Sequence, residues 1–140
     1  MSRVFWDTNL FIYLFEGEGS ILKQVTALRQ SMLARGDQLI TSALTVGEIL
    51  VKPIEQRDDD LARKYVEAIE ATALILPFDA KCVSIYAGLR CDRSLKPPDA
   101  IQLACAAEFG VDLFITNDAK LYKKRVQGIQ FVVPLERAPL

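Results

Sequence analysis

Histidine is absent from all 140 positions, which excludes imidazole general bases, histidine-dependent triads and histidine metal sites together. Cysteine is scarce: Cys82, Cys91 and Cys105 form no CxxC pair, so zinc-ribbon spacing is missing as well. An odd cysteine count, without a charged and then apolar leader at the start, fits a reduced, cytoplasmic protein. Cys82 and Cys105 lie in apolar helical surroundings and read as core filler. No apolar run approaches the roughly 20 residues that cross a bilayer, so no membrane partner is expected. Net charge is also lacking, with 17 Lys plus Arg against 18 Asp plus Glu, so any polyanion has to be held locally. Linkers, low-complexity tracts and repeats are missing too, and a single domain over 1–140 is expected.

What is present is a 51% hydrophobic chain, enough for a substantial core, patterned as alternating strands and helices. Val4-Phe5-Trp6 is a short apolar strand that stops at Asp7-Thr8-Asn9. Leu10, Phe11, Tyr13, Leu14 and Phe15 then form an apolar segment fit for core or interface. Apolar spacing predicts a helix over 20–35, with Ser20 as N-cap and Gly36 as its stop. Leu39-Ile40 is a second strand, followed by a short helix with Thr45, Glu48 and Ile49 that runs to Pro53. Residues 58–72 make a further helix whose opening acids suit the positive end of the macrodipole. Residues 74–78 form a third strand, and Asp79 is placed to cap a helix through Val83, Tyr86 and Leu89. A nearly all-apolar helix spans 99–109, a fourth strand 111–115 and a fifth 130–133. The alternation calls for a parallel sheet of about five strands with helices on both faces.

Four acids, Asp7, Glu48, Asp99 and Asp118, fall where strands end or helices begin. In an open α/β sheet those positions converge on the crevice outside the carboxyl ends of the strands. Carboxylates crowded there repel one another unless divalent cations neutralise them, and all-oxygen donors select hard ions such as Mg²⁺ or Mn²⁺. Sites with two ions roughly 3.5–4 Å apart support in-line displacement at phosphate without a protein nucleophile.

In these positions the chain resembles the PIN-domain ribonucleases, and within them the VapC-like toxins of toxin–antitoxin pairs. The matching fragments are Val4-Phe5-Trp6-Asp7-Thr8-Asn9, Ser42 to Glu48, Pro98-Asp99-Ala100-Ile101-Gln102-Leu103-Ala104, and Phe114-Ile115-Thr116-Asn117-Asp118, and the likeness covers nearly the whole chain. The resemblance implies a three-layer α/β/α fold and a Mg²⁺- or Mn²⁺-dependent endoribonuclease that cuts single-stranded or structured RNA. It implies Asp7, Asp99 and Asp118 as direct or water-mediated metal ligands, with Glu48 as a ligand or water-positioning carboxylate. Asn9 and Thr116 would bond ligands or substrate phosphate. A small antitoxin that blocks the cleft, and a homodimer, are its implied partners. Asn117 reads equally as a turn former.

Cations flank the acids. Residues 81–98 carry Lys81, Arg90, Arg93 and Lys96 against Asp92, and residues 119–128 carry Lys120, Lys123, Lys124 and Arg125 with no acid, so both runs could hold phosphates, the competing role being ordinary solvated helix faces. Arg93 and Lys96 are the candidates beside Asp99. Trp6, Tyr13 or Phe15 could stack on bases, the competing role being core.

Other readings remain. A haloacid-dehalogenase-type phosphatase wants a second Asp two residues after Asp7, where Asn9 stands. A phospho-receiver wants its acceptor Asp at the end of the third strand, where the sequence is Leu76-Pro77-Phe78. A non-catalytic module could use the same cleft to grip RNA or protein.

Overall fold

A computed structural model describes residues 1–139. Its sheet has five parallel strands, β1 (Arg3–Trp6), β2 (Gln38–Ser42), β3 (Leu74–Leu76), β4 (Val111–Ile115) and β5 (Ile129–Val133), in the order β3-β2-β1-β4-β5. Register is set at the centre, where Val4 lies beside Leu39 and Leu113, and Phe5 beside Ile40 and Phe114. Because side chains alternate across a strand, Val4 and Trp6 serve one face and Phe5 the other.

From β1 the chain first builds outward through α1 (Thr8–Glu16), α2 (Gly19–Arg35), β2, α3 (Ala43–Glu55), α4 (Asp59–Thr72) and β3. It then returns through α5 (Val83–Arg90) and α6 (Pro97–Phe109) to lay β4 and β5 on the opposite side of β1. Right-handed crossovers in opposite directions put their helices on opposite faces. Accordingly Val4, Trp6, Leu39 and Ile115 pack with Leu10, Val25, Met32, Ile49 and Ile69 of α1 to α4. Phe5, Ile40 and Phe114 pack with Leu103, Ala104 and Tyr86 of α6 and α5, and the Phe5 and Phe114 rings stack at 4.9 Å. The expected three-layer α/β/α arrangement is present.

Local chemistry explains most boundaries. Asp7 ends β1 and caps α1 by accepting from the Thr8 amide, so a strand passes directly into a helix. The apolar segment after Asn9 is thus a helix of its own, with Leu10 and Phe11 in the core. Gly36 ends α2 at φ +73°, a conformation that other residues adopt only at a cost. Asp58 caps α4 as its acidic start suggested. Several boundaries differ from expectation: β3 stops at Leu76 and α6 opens at Pro97. Glu18, not Ser20, occupies the N-cap of α2. The helix α3 runs two residues past Pro53, because a proline in the last turn forfeits little helix beyond it. Asp79 accepts from the Lys81 amide and stabilises the turn before α5, whose N-cap is Cys82.

Candidate active site

The direction of chain growth reverses between β1 and β4, and a crevice opens where the strands on either side of such a switch diverge. Asp7 follows β1 and Asp118 follows β4, so both carboxylates enter this crevice from adjacent strands. Glu48 comes from α3 and Asp99 from the first turn of α6.

Three of these acids, Asp7, Glu48 and Asp118, are joined by a polar network rooted in the buried side chains of Thr8, Gln102 and Thr116. The Asp7 carboxylate accepts from the Thr116 hydroxyl at 2.7 Å and from the Thr8 amide at 2.8 Å. The Thr116 oxygen in turn accepts from the Asp118 amide at 3.0 Å, so one threonine orients both acids. Thr8 donates to Glu48 Oε1 at 2.6 Å. Gln102 is 2% exposed and is the hub. Its Nε2 reaches Thr45 Oγ1 at 2.7 Å, Thr8 Oγ1 at 3.1 Å and Asp7 Oδ1 at 3.4 Å. Its Oε1 accepts from the Ser42 hydroxyl, which also caps α3. Asp99 lies three residues before Gln102 on α6, and residues at that spacing share a helix face. Read as sequence, Gln102 stands only inside a motif and carries no role of its own. Its signal is one amide in the otherwise apolar run from Ala100 to Leu103, three residues after an acid.

Burial raises the Asp7 carboxyl above its ordinary pKa, against the lowering effect of the Thr116 and Thr8 hydrogen bonds, and the charges of Asp99 and Glu48 raise it further. Asp99 is raised by burial and then by Asp118, while Lys120 and Lys96 pull it down. The four acids therefore sense one another across the crevice. Among the described residues, however, no three acidic or cysteine side chains are drawn together into a coordination shell. The all-oxygen donor chemistry around a largely buried Asp7 suits a hard divalent cation.

The remaining expected positions divide. Asn9 accepts from the Asn117 amide at 3.4 Å, and Asn117 accepts from the Leu135 amide at 3.0 Å, so this pair ties the loop after β4 to the chain leaving β5. Lys96 immediately precedes α6, and Lys120 Nζ lies 3.8 Å from Asp118 Oδ2. Arg93 is exposed in the turn between α5 and α6. Lys124 is occupied by Asp92 Oδ2 and Ser94 Oγ, each at 2.6 Å. Trp6 is fully buried and cannot stack on a base, and Phe15 stacks on Tyr65 at 4.9 Å. A larger recess of about 680 Å³, lined by Arg3, Asp112 and Gln130, sits at the amino ends of the strands and holds none of the four acids.

A parallel sheet with this strand order, carrying carboxylates from four elements at its switch point, defines an α/β protein of the PIN class. The model of the PIN domain matches residues 4–127, and the chain belongs to that family. No curated protein matches it. Among solved structures the fold is similar to VapBC2 from Rickettsia felis bound to a promoter DNA fragment. The TM-score is 0.75 at 15% identity, over 94% of this chain and 98% of that one. It is similar to a toxin–antitoxin complex from Klebsiella pneumoniae, with a TM-score of 0.66 at 24% identity over 90% and 94%. It is also similar to DNA-bound VapBC from Salmonella typhimurium, with a TM-score of 0.71 at 17% identity over 96% and 99%.

Proposed function

We propose that this PIN domain is a Mg²⁺- or Mn²⁺-dependent endoribonuclease and the toxin of a toxin–antitoxin pair. The observation that carries the reading is the single hydrogen-bonded network from Ser42 through Gln102 and Thr8 to Glu48, and through Asp7 and Thr116 to Asp118. A merely solvated set of surface acids needs no buried glutamine and two threonines to aim it.

In this reading Asp7, Asp99 and Asp118 hold the ion or ions, and Glu48 is a further ligand or positions the attacking water. A divalent cation bound there supplies the Lewis acidity that activates water and offsets charge gathering on the scissile phosphate. The chain's own part is to present ionised carboxylates at fixed angles. The Thr116 hydroxyl and the Thr8 amide favour the Asp7 anion and partly offset the burial that raises its carboxyl. Lys96 and Lys120 border Asp99 and favour its anion while offering ammonium groups to the substrate backbone. Arg93, Asn9 and Thr116 are the other substrate-positioning candidates.

The toxin assignment draws on the solved complexes of similar fold. A recess of about 260 Å³ runs from Glu48 between α1, α3 and α4, lined by Ile12, Val51 and Tyr65, with Ile12 39% and Val51 53% exposed. Such a surface suits an antitoxin segment that approaches the acids, and a homodimer and cytoplasmic location complete the proposal. Cleavage of a pool of cellular and structured RNAs by wild type and Asp7→Asn, with Mg²⁺, Mn²⁺ or chelator, tests it. Metal-dependent cutting that disappears in the variant is expected. Folded protein that binds Mn²⁺ but cuts none of the pool would point instead to a non-catalytic binding module.

A further inference from the structure

We infer that the outer edge of β5 is a stacking and phosphate-binding subsite for single-stranded RNA, with Phe131 as its platform; the choice of RNA rests on the nuclease reading above. The strand is at the end of the sheet, and β4 is its only pairing partner among the described residues. Phe131 projects from it with 62% of its surface exposed. A scattered apolar side chain on a surface needs no explanation. The surroundings of this one do. It borders a shallow recess of about 210 Å³ whose other walls include Tyr122, Lys123, Lys124, Arg125 and Gln130, with no acid among them.

The cations are arranged in two ways. Lys124 is pinned by Asp92 and Ser94, which fixes the loop in place. Lys123 and Arg125 are exposed and make no salt bridge among the described residues, so their charges are available to phosphate. The recess also follows the acidic crevice closely along the chain. From Asp118 the chain makes one short turn through Ala119–Leu121, passing Lys120, and arrives at Tyr122 and Lys123. A strand of RNA held at the acids and leaving along this loop meets cations at 120, 123 and 125, and then an exposed ring. Aromatic faces combined with a basic track are how proteins grip single strands without reading sequence. Charge complementarity thus selects a polyanion with unpaired bases over an apolar peptide.

The test is fluorescence anisotropy with a labelled single-stranded RNA of about a dozen nucleotides, in chelator so that no cutting occurs. Wild type binds. Phe131→Ala weakens binding by about five- to a hundredfold, the usual weight of one stacked base. Phe131→Trp restores it, while Phe131→Leu does not. The pair Lys123→Ala and Arg125→Ala lowers the slope of the salt dependence by roughly 0.7 for each phosphate no longer neutralised. Circular dichroism verifies folding, which an exposed ring does not support. The inference fails if Phe131→Ala or Phe131→Leu binds like wild type, or if wild type binds no single strand. It fails also if Phe131→Ala leaves binding intact but dissociates a dimer in sedimentation, since the ring would then be covered by a second copy. Metal-dependent cleavage is measured separately, so failure of the subsite is distinguishable from failure of the nuclease reading.

Discussion

Asp7 is where burial and charge conflict. Its folded pKa is raised by burial and by Asp99 and Glu48, so the folded chain holds the proton more tightly than the unfolded chain does. Stability linked to this group is therefore present at acidic pH and is lost as pH rises from the ordinary carboxyl range through the raised folded value. Asp99 shifts in the same direction. In chelator, Asp7→Asn is expected to melt at a higher temperature than wild type at neutral pH, with the gap narrowing on acidification. Thermal melts across pH measure it, and a gap that does not change with pH would contradict the burial account. Asp92 behaves oppositely. Lys124 and Ser94 hold its exposed carboxyl at about 2, so its contribution is present above the ordinary range and disappears as pH falls through about 2. A carbon-detected titration should place the Asp92 midpoint near there, and Lys124→Met should move it up toward 3.8.

At the level of elements, α6 does the most. It opens on Pro97 and Pro98, which suit a first turn whose amides lack partners, and it brings Asp99 to the crevice and Gln102 to the network. Gln102→Leu keeps the volume but strips Ser42, Thr45 and Thr8 of a shared partner. The expected loss is about 1–3 kcal/mol of stability by denaturant unfolding, the penalty for buried polar groups left unpaired. The cutting rate should fall by about ten- to a hundredfold, as when outer partners of metal ligands are removed. Unchanged cutting with reduced stability would make Gln102 a core amide only.

The same helix marks what could be read in advance. Its acid and its apolar run are legible from Asp99 to Phe109, because an all-apolar helix bounded by Pro and Gly has few alternatives. The hub role of Gln102 is not legible, since its partners stand 57, 60 and 94 residues away and only folding brings them close. The helix α1 reads only as an apolar segment, because a strand entering a helix through one capping Asp leaves no turn signal between them. Lys124 looks like a free phosphate ligand in a run without acids, yet its partner Asp92 is 32 residues earlier.

For the whole molecule, strand order decides where the four acids stand. Had β4 followed β3 at the sheet edge, Asp7 and Asp118 would stand several strands apart; the return across β1 puts them on neighbours. The central claim is that carboxylates gathered this way let a divalent cation direct water onto an RNA phosphate. Its most direct test is cleavage of a defined single-stranded RNA in ¹⁸O-labelled water with Mg²⁺, followed by mass spectrometry of the product ends for wild type and Asp7→Asn. The account predicts one solvent oxygen on the phosphate at each wild-type cut, no 2′,3′-cyclic phosphate, and no cutting by Asp7→Asn or in chelator. Cyclic phosphate ends, or cutting that survives both the variant and the chelator, would contradict it.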